Sequence, residues 1–288
     1  MQTPPPDNTA GIDRLRAVMA CLRDPAAGCP WDLVQDFASI APYTIEEAYE
    51  VADAIARGTY DELCGELGDL LLQVVYHARI AEEGGHFDFD AVAHRVAAKM
   101  IARHPHVFTA GTPEEETPPD AAAQPRAWEA HKAAERTRKA AEDGRVPSAL
   151  DGVARALPAL TRAEKLQKRA ARDGFDWPDA ESTLAKVDEE LAELRAEVGG
   201  TDRAALRAEM GDLLFTVANV ARKLDIDPEV ALRDANDKFE RRYRAVERRL
   251  ADDTQTAGAR DLDTLERLWQ AVKADERAAP DGDDTAAR

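Results

Sequence analysis

The chain has 288 residues, with 38 Lys and Arg against 56 Asp and Glu and a formal net charge of −18. That balance excludes broad nucleic-acid binding, which needs a basic stripe to displace counterions, and 44% hydrophobic with 33% charged residues excludes a disordered chain. No apolar run reaches the roughly 18 residues of a membrane helix. No signal peptide is visible, and Cys21, Cys29 and Cys64 lack C-x-x-C spacing, so a cytoplasmic protein in a reducing compartment, away from membranes, is expected.

The chain opens on a Pro-rich stretch, residues 1–10, expected to be disordered. From residue 11 apolar residues recur at three- and four-residue spacing with few β-branched runs, which predicts helices. Thr44-Ile-Glu46-Glu47 reads on its own as a capping box, with Glu47 closing a helix start. Arg57-Gly58 predicts a break, and Thr59-x-x-Glu62 a capping box that opens the next helix. LLLQVVYHARI (70–80) keeps a helical period beyond strand length. TAGTPEEETPPDAAAQP (109–125) predicts a flexible surface segment, followed by a helix over 126–143 and a second break in EDGRVPSALDG. That break places the domain boundary near 144–150. Farther on, Gly199-Gly200 should end one helix and Thr201 or Asp202 cap the next, which carries LLFTVANVARKL (213–224). The tail, 279–288, is expected to be disordered. The expectation is an all-α protein with one domain over 11–143 and another over 144–278.

The two halves repeat each other. Glu46-Glu47-x-x-Glu50 returns as Glu189-Glu190-x-x-Glu193, and Glu66-Leu-Gly-Asp69 as Glu209-Met-Gly-Asp212, both displaced by 143 residues. Gly28-x-x-Trp31 matches Gly174-x-x-Trp177, and Lys99-x-x-x-Arg103 matches Lys238-x-x-x-Arg242. Trp128-x-x-x-Lys132-x-x-Glu135-Arg136 matches Trp269-x-x-x-Lys273-x-x-Glu276-Arg277. The pattern is a duplicated helical unit.

Glu190 and Glu193 share a helix face, as do Glu209 and Asp212. A tight turn between the two helices brings the pairs together. At an effective dielectric near 20, two like charges about 5 Å apart repel by roughly 3 kcal/mol, so four converging carboxylates make sense around a hard divalent cation. All-oxygen ligands favour Mg²⁺ or Mn²⁺ over zinc. A solvated acidic face is the bland reading of any single E-x-x-E; the duplicated register tells against it. So do Gly68 and Gly211, each inside a helix at a cost of about 1 kcal/mol relative to Ala, which predict a face approached closely by another backbone or a ligand. A di-iron bundle, the competitor, needs two E-x-x-H motifs; the one present, Glu83-Gly84-Gly85-His86, is broken by glycines.

Together the E-E-x-x-E and E-x-x-D pairs, GCPWD (28–32), RHPHVF (103–108) and GFDW (174–177) resemble the tandem-domain MazG nucleoside triphosphate pyrophosphohydrolases, over roughly residues 11–277. The resemblance implies two MazG-like helical bundles that pair as a homodimer. It also implies Mg²⁺-dependent cleavage of NTPs and dNTPs to the monophosphate and diphosphate, which cleanses the nucleotide pool. Glu190, Glu193, Glu209 and Asp212 would hold the metal, and Glu47, Glu50, Glu66 and Asp69 form the equivalent set of the first half. Lys186, Lys238, Arg241, Arg242 and Trp269 fall at nucleotide-contacting positions, and Glu189, beside the ligands, is the candidate to orient or deprotonate the attacking water. Broad base specificity is expected; a dUTP- or dCTP-selective hydrolase and a non-catalytic nucleotide sensor are the alternatives.

The halves are not equal in cations. Lys186 corresponds to Tyr43, Lys165 and Lys168 to Met19 and Leu22, and Arg241 to Ala102. The second half is therefore expected to be the main catalyst. One departure from the family pattern lies in AALRAE before Glu209, where some members carry a nucleotide-contacting lysine and Arg207 is here the nearest cation.

Overall fold

The computed structural model describes residues 6, 10–108, 124–252 and 261–278. The ends expected to be disordered, 1–10 and 279–288, and the flexible segment expected at 109–125 lie outside these residues, except for 6, 10, 124 and 125. Every regular element among the described residues is an α-helix, so the all-α expectation holds. The chain divides into two compact units between residues 125 and 126.

The first unit carries α1 (Gly11–Leu22), α2 (Pro30–Leu33), α3 (Phe37–Arg57), α4 (Tyr60–Glu83), α5 (Phe89–Arg103) and α6 (Pro105–Phe108). Asp36 starts α3: its carboxylate accepts from the Ser39 amide at 2.8 Å, and the Ser39 hydroxyl accepts from the Asp36 amide at 2.9 Å. Glu47 therefore lies in the middle of α3, and the reading of Thr44–Glu47 as a helix start gives way. Gly58, at φ 70°, closes α3 in the left-handed conformation that glycine adopts without a Cβ clash. Thr59 caps α4 by position, yet its hydroxyl donates to the Glu62 carboxylate at 2.7 Å instead of serving a backbone amide, so the expected box forms only between side chains. The α3–α4 hairpin packs with α1 around Met19, Ile40, Val75 and Tyr76.

The GCPWD stretch is pinned to this core. The Tyr76 hydroxyl donates to Asp32 Oδ1 at 3.0 Å, and Arg23, almost fully buried, donates to the Asp32 carbonyl while pairing with Glu83 at 2.7 Å.

The second unit takes in α7 (Gln124–Glu142), nearly all of which follows residue 125, then α8 (Ala159–Arg172), α9 (Ala180–Glu197), α10 (Arg203–Lys223), α11 (Pro228–Asp252) and α12 (Leu262–Ala278). Gly199, at φ 92°, turns the chain after α9, and the Asp202 carboxylate caps α10 by accepting from the Ala204 and Ala205 amides. The α9–α10 hairpin is the counterpart of α3–α4, and α8 packs on α10 as α1 packs on α4. Helices α11 and α12 join over Val246, Leu268 and Val272. GFDW acts as GCPWD does, but through ions: Asp176 is paired with both Arg222 and Lys223.

Both hairpins leave an apolar stripe uncovered. On α10 it is Met210, Leu214 and Val217, each about half-exposed; on α4, 143 residues earlier, it is Leu67, Leu71 and Val74. Gly211 and Gly68 lie on these helices, and a Cβ added at either meets no atom within 4 Å. The close approach that the two glycines predict is therefore not made by the surrounding residues of the chain itself.

Candidate metal centre

The α9–α10 hairpin brings carboxylate oxygens of Glu190, Glu193 and Glu209 within 4.8 Å of one another. The helical register explains the first two, and the short 198–202 link between the helices delivers the third. Asp212 follows Glu209 by one turn and lies outside that tight group, though close enough for its charge to act on Glu209. Burial first, and then the charges of Glu193, Asp212 and Glu190, push the Glu209 carboxyl above its ordinary value. In the first unit Glu47, Glu66 and Asp69 gather in the same way, and Glu50 is the outlying member. Burial, followed by Asp69 and Glu50, raises the Glu47 carboxyl. Each hairpin thus collects three of its four expected ligands tightly and keeps the fourth at the margin. An all-carboxylate set that resists complete ionisation suits a hard divalent cation, which would neutralise it.

Lys186 reaches into the second cluster. Its ammonium lies 2.8 Å from Glu189 and 2.9 Å from Glu190, and these two carboxylates raise its pKa. Glu190 is buried, while Glu189 and Asp188 face solvent. In the first unit the corresponding Tyr43 meets Trp31 edge-on at 6.4 Å and supplies no charge.

The other expected nucleotide residues assemble on the α11–α12 hairpin. Arg242 donates to Glu276 at 2.7 Å and lies over the Trp269 ring at 5.9 Å, and Arg241 pairs with the same Glu276 at 3.5 Å. Trp269 is half-buried against the Val246 core and also meets Phe239 at 5.4 Å. Lys238, one turn before Arg242, is exposed. Glu276, which orients both arginines, and Phe239, which flanks the tryptophan, are not assigned from the sequence. Glu276 does stand inside the repeated W-x-x-x-K-x-x-E-R motif, which was the available signal. Lys165, counted with the nucleotide cations from the sequence, lies in a groove shared with α7.

A family model described as the MazG nucleotide pyrophosphohydrolase domain matches residues 35–108 and 179–247, which contain both acidic clusters. The chain is 49% identical over 267 residues to a nucleoside triphosphate pyrophosphohydrolase of Escherichia coli strain K12, covering 92% of this chain and 98% of the relative. It is 38% identical over 266 residues to the nucleoside triphosphate pyrophosphohydrolase/pyrophosphatase MazG of Thermotoga maritima, covering 92% and 97%. A nucleoside triphosphate pyrophosphohydrolase of Mycobacterium tuberculosis is 35% identical over 231 residues, with 77% and 66% covered. A duplicated acidic hairpin, matched twice by one family model and carried through nearly the full length of such relatives, makes this chain a member of the MazG nucleotide pyrophosphohydrolase family.

Proposed function

We propose that the chain hydrolyses nucleoside triphosphates to the monophosphate and diphosphate, with Mg²⁺ (or Mn²⁺) as cofactor, and that the second unit is the principal active site. The observation that carries this reading is the Glu190, Glu193 and Glu209 cluster, set on the same hairpin as Lys186. Asp212 is its fourth carboxylate. A divalent cation held there supplies Lewis-acid polarisation of the α-phosphate and lowers the pKa of a nucleophilic water. Glu189, exposed beside the cluster, orients that water and takes its proton. Lys186, Lys238, Arg241 and Arg242 offset the charge that develops on the departing diphosphate, and Trp269 offers a face to the base. No group on α9–α12 reads a particular base, which favours broad specificity and a house-cleaning role.

The first unit has the carboxylates Glu47, Glu50, Glu66 and Asp69 but Tyr43 in place of Lys186, which argues for a weak, specialised or regulatory site. The uncovered stripe Met210, Leu214 and Val217, repeated at Leu67, Leu71 and Val74, supports pairing with a second copy of the chain, since exposed apolar patches of this kind mark association surfaces. The free cysteines favour a cytoplasmic setting. Product analysis tests the reaction: each NTP and dNTP with Mg²⁺ should yield monophosphate and diphosphate. Release of inorganic phosphate with a nucleoside diphosphate would overturn attack at the α-phosphorus, and binding without turnover would make the protein a sensor.

A further inference from the structure

A groove of about 430 Å³ runs between α7, the loop after Asp151, and α8. Lys132, Arg136 and Lys139 stand on one face of α7 at i, i+4 and i+7, and Lys165 and Arg169 line the opposite wall from α8. Five cations thus meet two carboxylates, Glu135 and Asp151, in a chain whose net charge is −18. Most cations elsewhere in the second unit are neutralised by an acid. Among the described residues, however, Arg136, Lys139 and Lys165 have no carboxylate within ion-pair distance.

Arg169 is fixed in place. Its Nη1 donates to the carbonyls of Ala149 and Asp151 at 3.0 and 3.1 Å, which ties the loop to α8 and leaves the rest of the guanidinium fork for another acceptor. Burial first, and then the charge of Arg136, hold its pKa below the ordinary arginine value. Like charges crowded at the mouth of a concave site, with one of them preorganised by backbone carbonyls, are what a compact polyanion needs. The volume fits a small molecule. Nucleic acid fits poorly, because the surrounding surface is acidic.

We propose that this groove is an anion site, distinct from the acidic cluster, that takes the oligophosphate group of a small molecule: free diphosphate or the phosphate tail of a nucleotide. The test is calorimetric titration of the full-length protein in EDTA, which leaves the carboxylate cluster without a cation to bind phosphate. Inorganic diphosphate and a nucleoside triphosphate serve as probes, with inorganic monophosphate as the control.

Saturable diphosphate binding that weakens with salt is expected. Arg136→Ala with Lys139→Ala should weaken it by about tenfold or more, with hydrolysis of NTPs unchanged. Lys165→Ala, read by binding alone, should act in the same direction from the facing helix. Diphosphate and nucleotide of equal affinity would identify free oligophosphate chemistry, and a tighter nucleotide would add recognition of the nucleoside. No diphosphate binding, equal binding of monophosphate, or binding unmoved by the variants would overturn the site. Glu193→Ala separates the two readings: it should end hydrolysis and leave diphosphate binding in EDTA intact.

Discussion

The Lys186 ammonium lies 2.9 Å from the buried Glu190 carboxylate, four residues along α9, and 2.8 Å from Glu189. A ligand candidate, a base candidate and a phosphate-binding candidate therefore form one hydrogen-bonded group before any substrate arrives. A divalent cation at Glu190 competes with that ammonium, which is then released toward substrate oxygens. The two halves differ at this position more plainly than at any carboxylate.

Lys186→Ala should consequently separate substrate use from metal binding. We expect kcat/KM for NTPs to fall by about tenfold or more, the scale of one charged hydrogen bond. The Mn²⁺ affinity of the nucleotide-free protein should hold or rise, because a competing cation has gone. Titration of Mn²⁺ by electron paramagnetic resonance, beside steady-state kinetics, checks both. A matching loss in metal affinity would show that Lys186 instead supports the fold of the cluster.

Glu193→Ala should abolish hydrolysis without lowering thermal stability in EDTA. Glu193 is exposed and is one of the like charges that raise the Glu209 carboxyl, so its removal relieves repulsion. Wild-type protein should gain melting temperature on addition of Mg²⁺, because a ligand bound to the native state stabilises it by mass action, and the variant should lose most of that gain. Differential scanning fluorimetry with and without Mg²⁺ reads both effects.

The sequence discloses the carboxylates because their chemistry is written in spacing: i, i+3 pairs, a turn, and a repeat at 143 residues. It discloses the helices for the same reason. Capping was less legible. The Thr44–Glu47 pattern satisfies the rule for a helix start, but Asp36 and Ser39 win because α3 already buries Ile40. Glu276 was hidden because its role depends on two arginines of another helix, a tertiary relation with no local signature. The conserved-looking GCPWD and GFDW motifs resolve into braces, held by Tyr76 and Arg23 in one half and by Arg222 and Lys223 in the other. Such pairings across 40 or so residues follow from packing and not from pattern.

Asp176 gives the second unit a pH-dependent component of stability. Burial alone would raise its carboxyl, but hydrogen bonds from Lys223 and Arg222 outweigh that and hold it below its ordinary value of 3.8. A carboxyl depressed in the folded state contributes stability that is present above its unfolded pKa and is lost as pH falls through the folded one. Asp176→Asn should therefore cost about 1 kcal/mol at neutral pH. The gap from wild type should close as pH drops below about 4. Urea denaturation at a series of pH values measures that gap; a constant difference would assign the loss to packing.

The last prediction concerns the division of labour. Both hairpins hold three carboxylates within 4.8 Å, so metal chemistry alone would make the two units equivalent. They differ in what surrounds the carboxylates: Lys186 against Tyr43, Arg241 against Ala102, and Lys165 and Lys168 against Met19 and Leu22. A triphosphate needs cations to bind and to leave as diphosphate, and binding energy realised on the departing group is what raises the rate. Glu190→Gln with Glu193→Gln should therefore reduce hydrolysis by about a hundredfold or more, the scale on which a preorganised electrostatic contact acts. Glu47→Gln with Glu66→Gln should leave most of it in place. Circular dichroism establishes that each variant folds, and Mn²⁺ titration counts the sites lost. If the first pair of changes spared hydrolysis while the second ended it, the principal site would belong to the first unit, and the missing cations there would have to come from elsewhere.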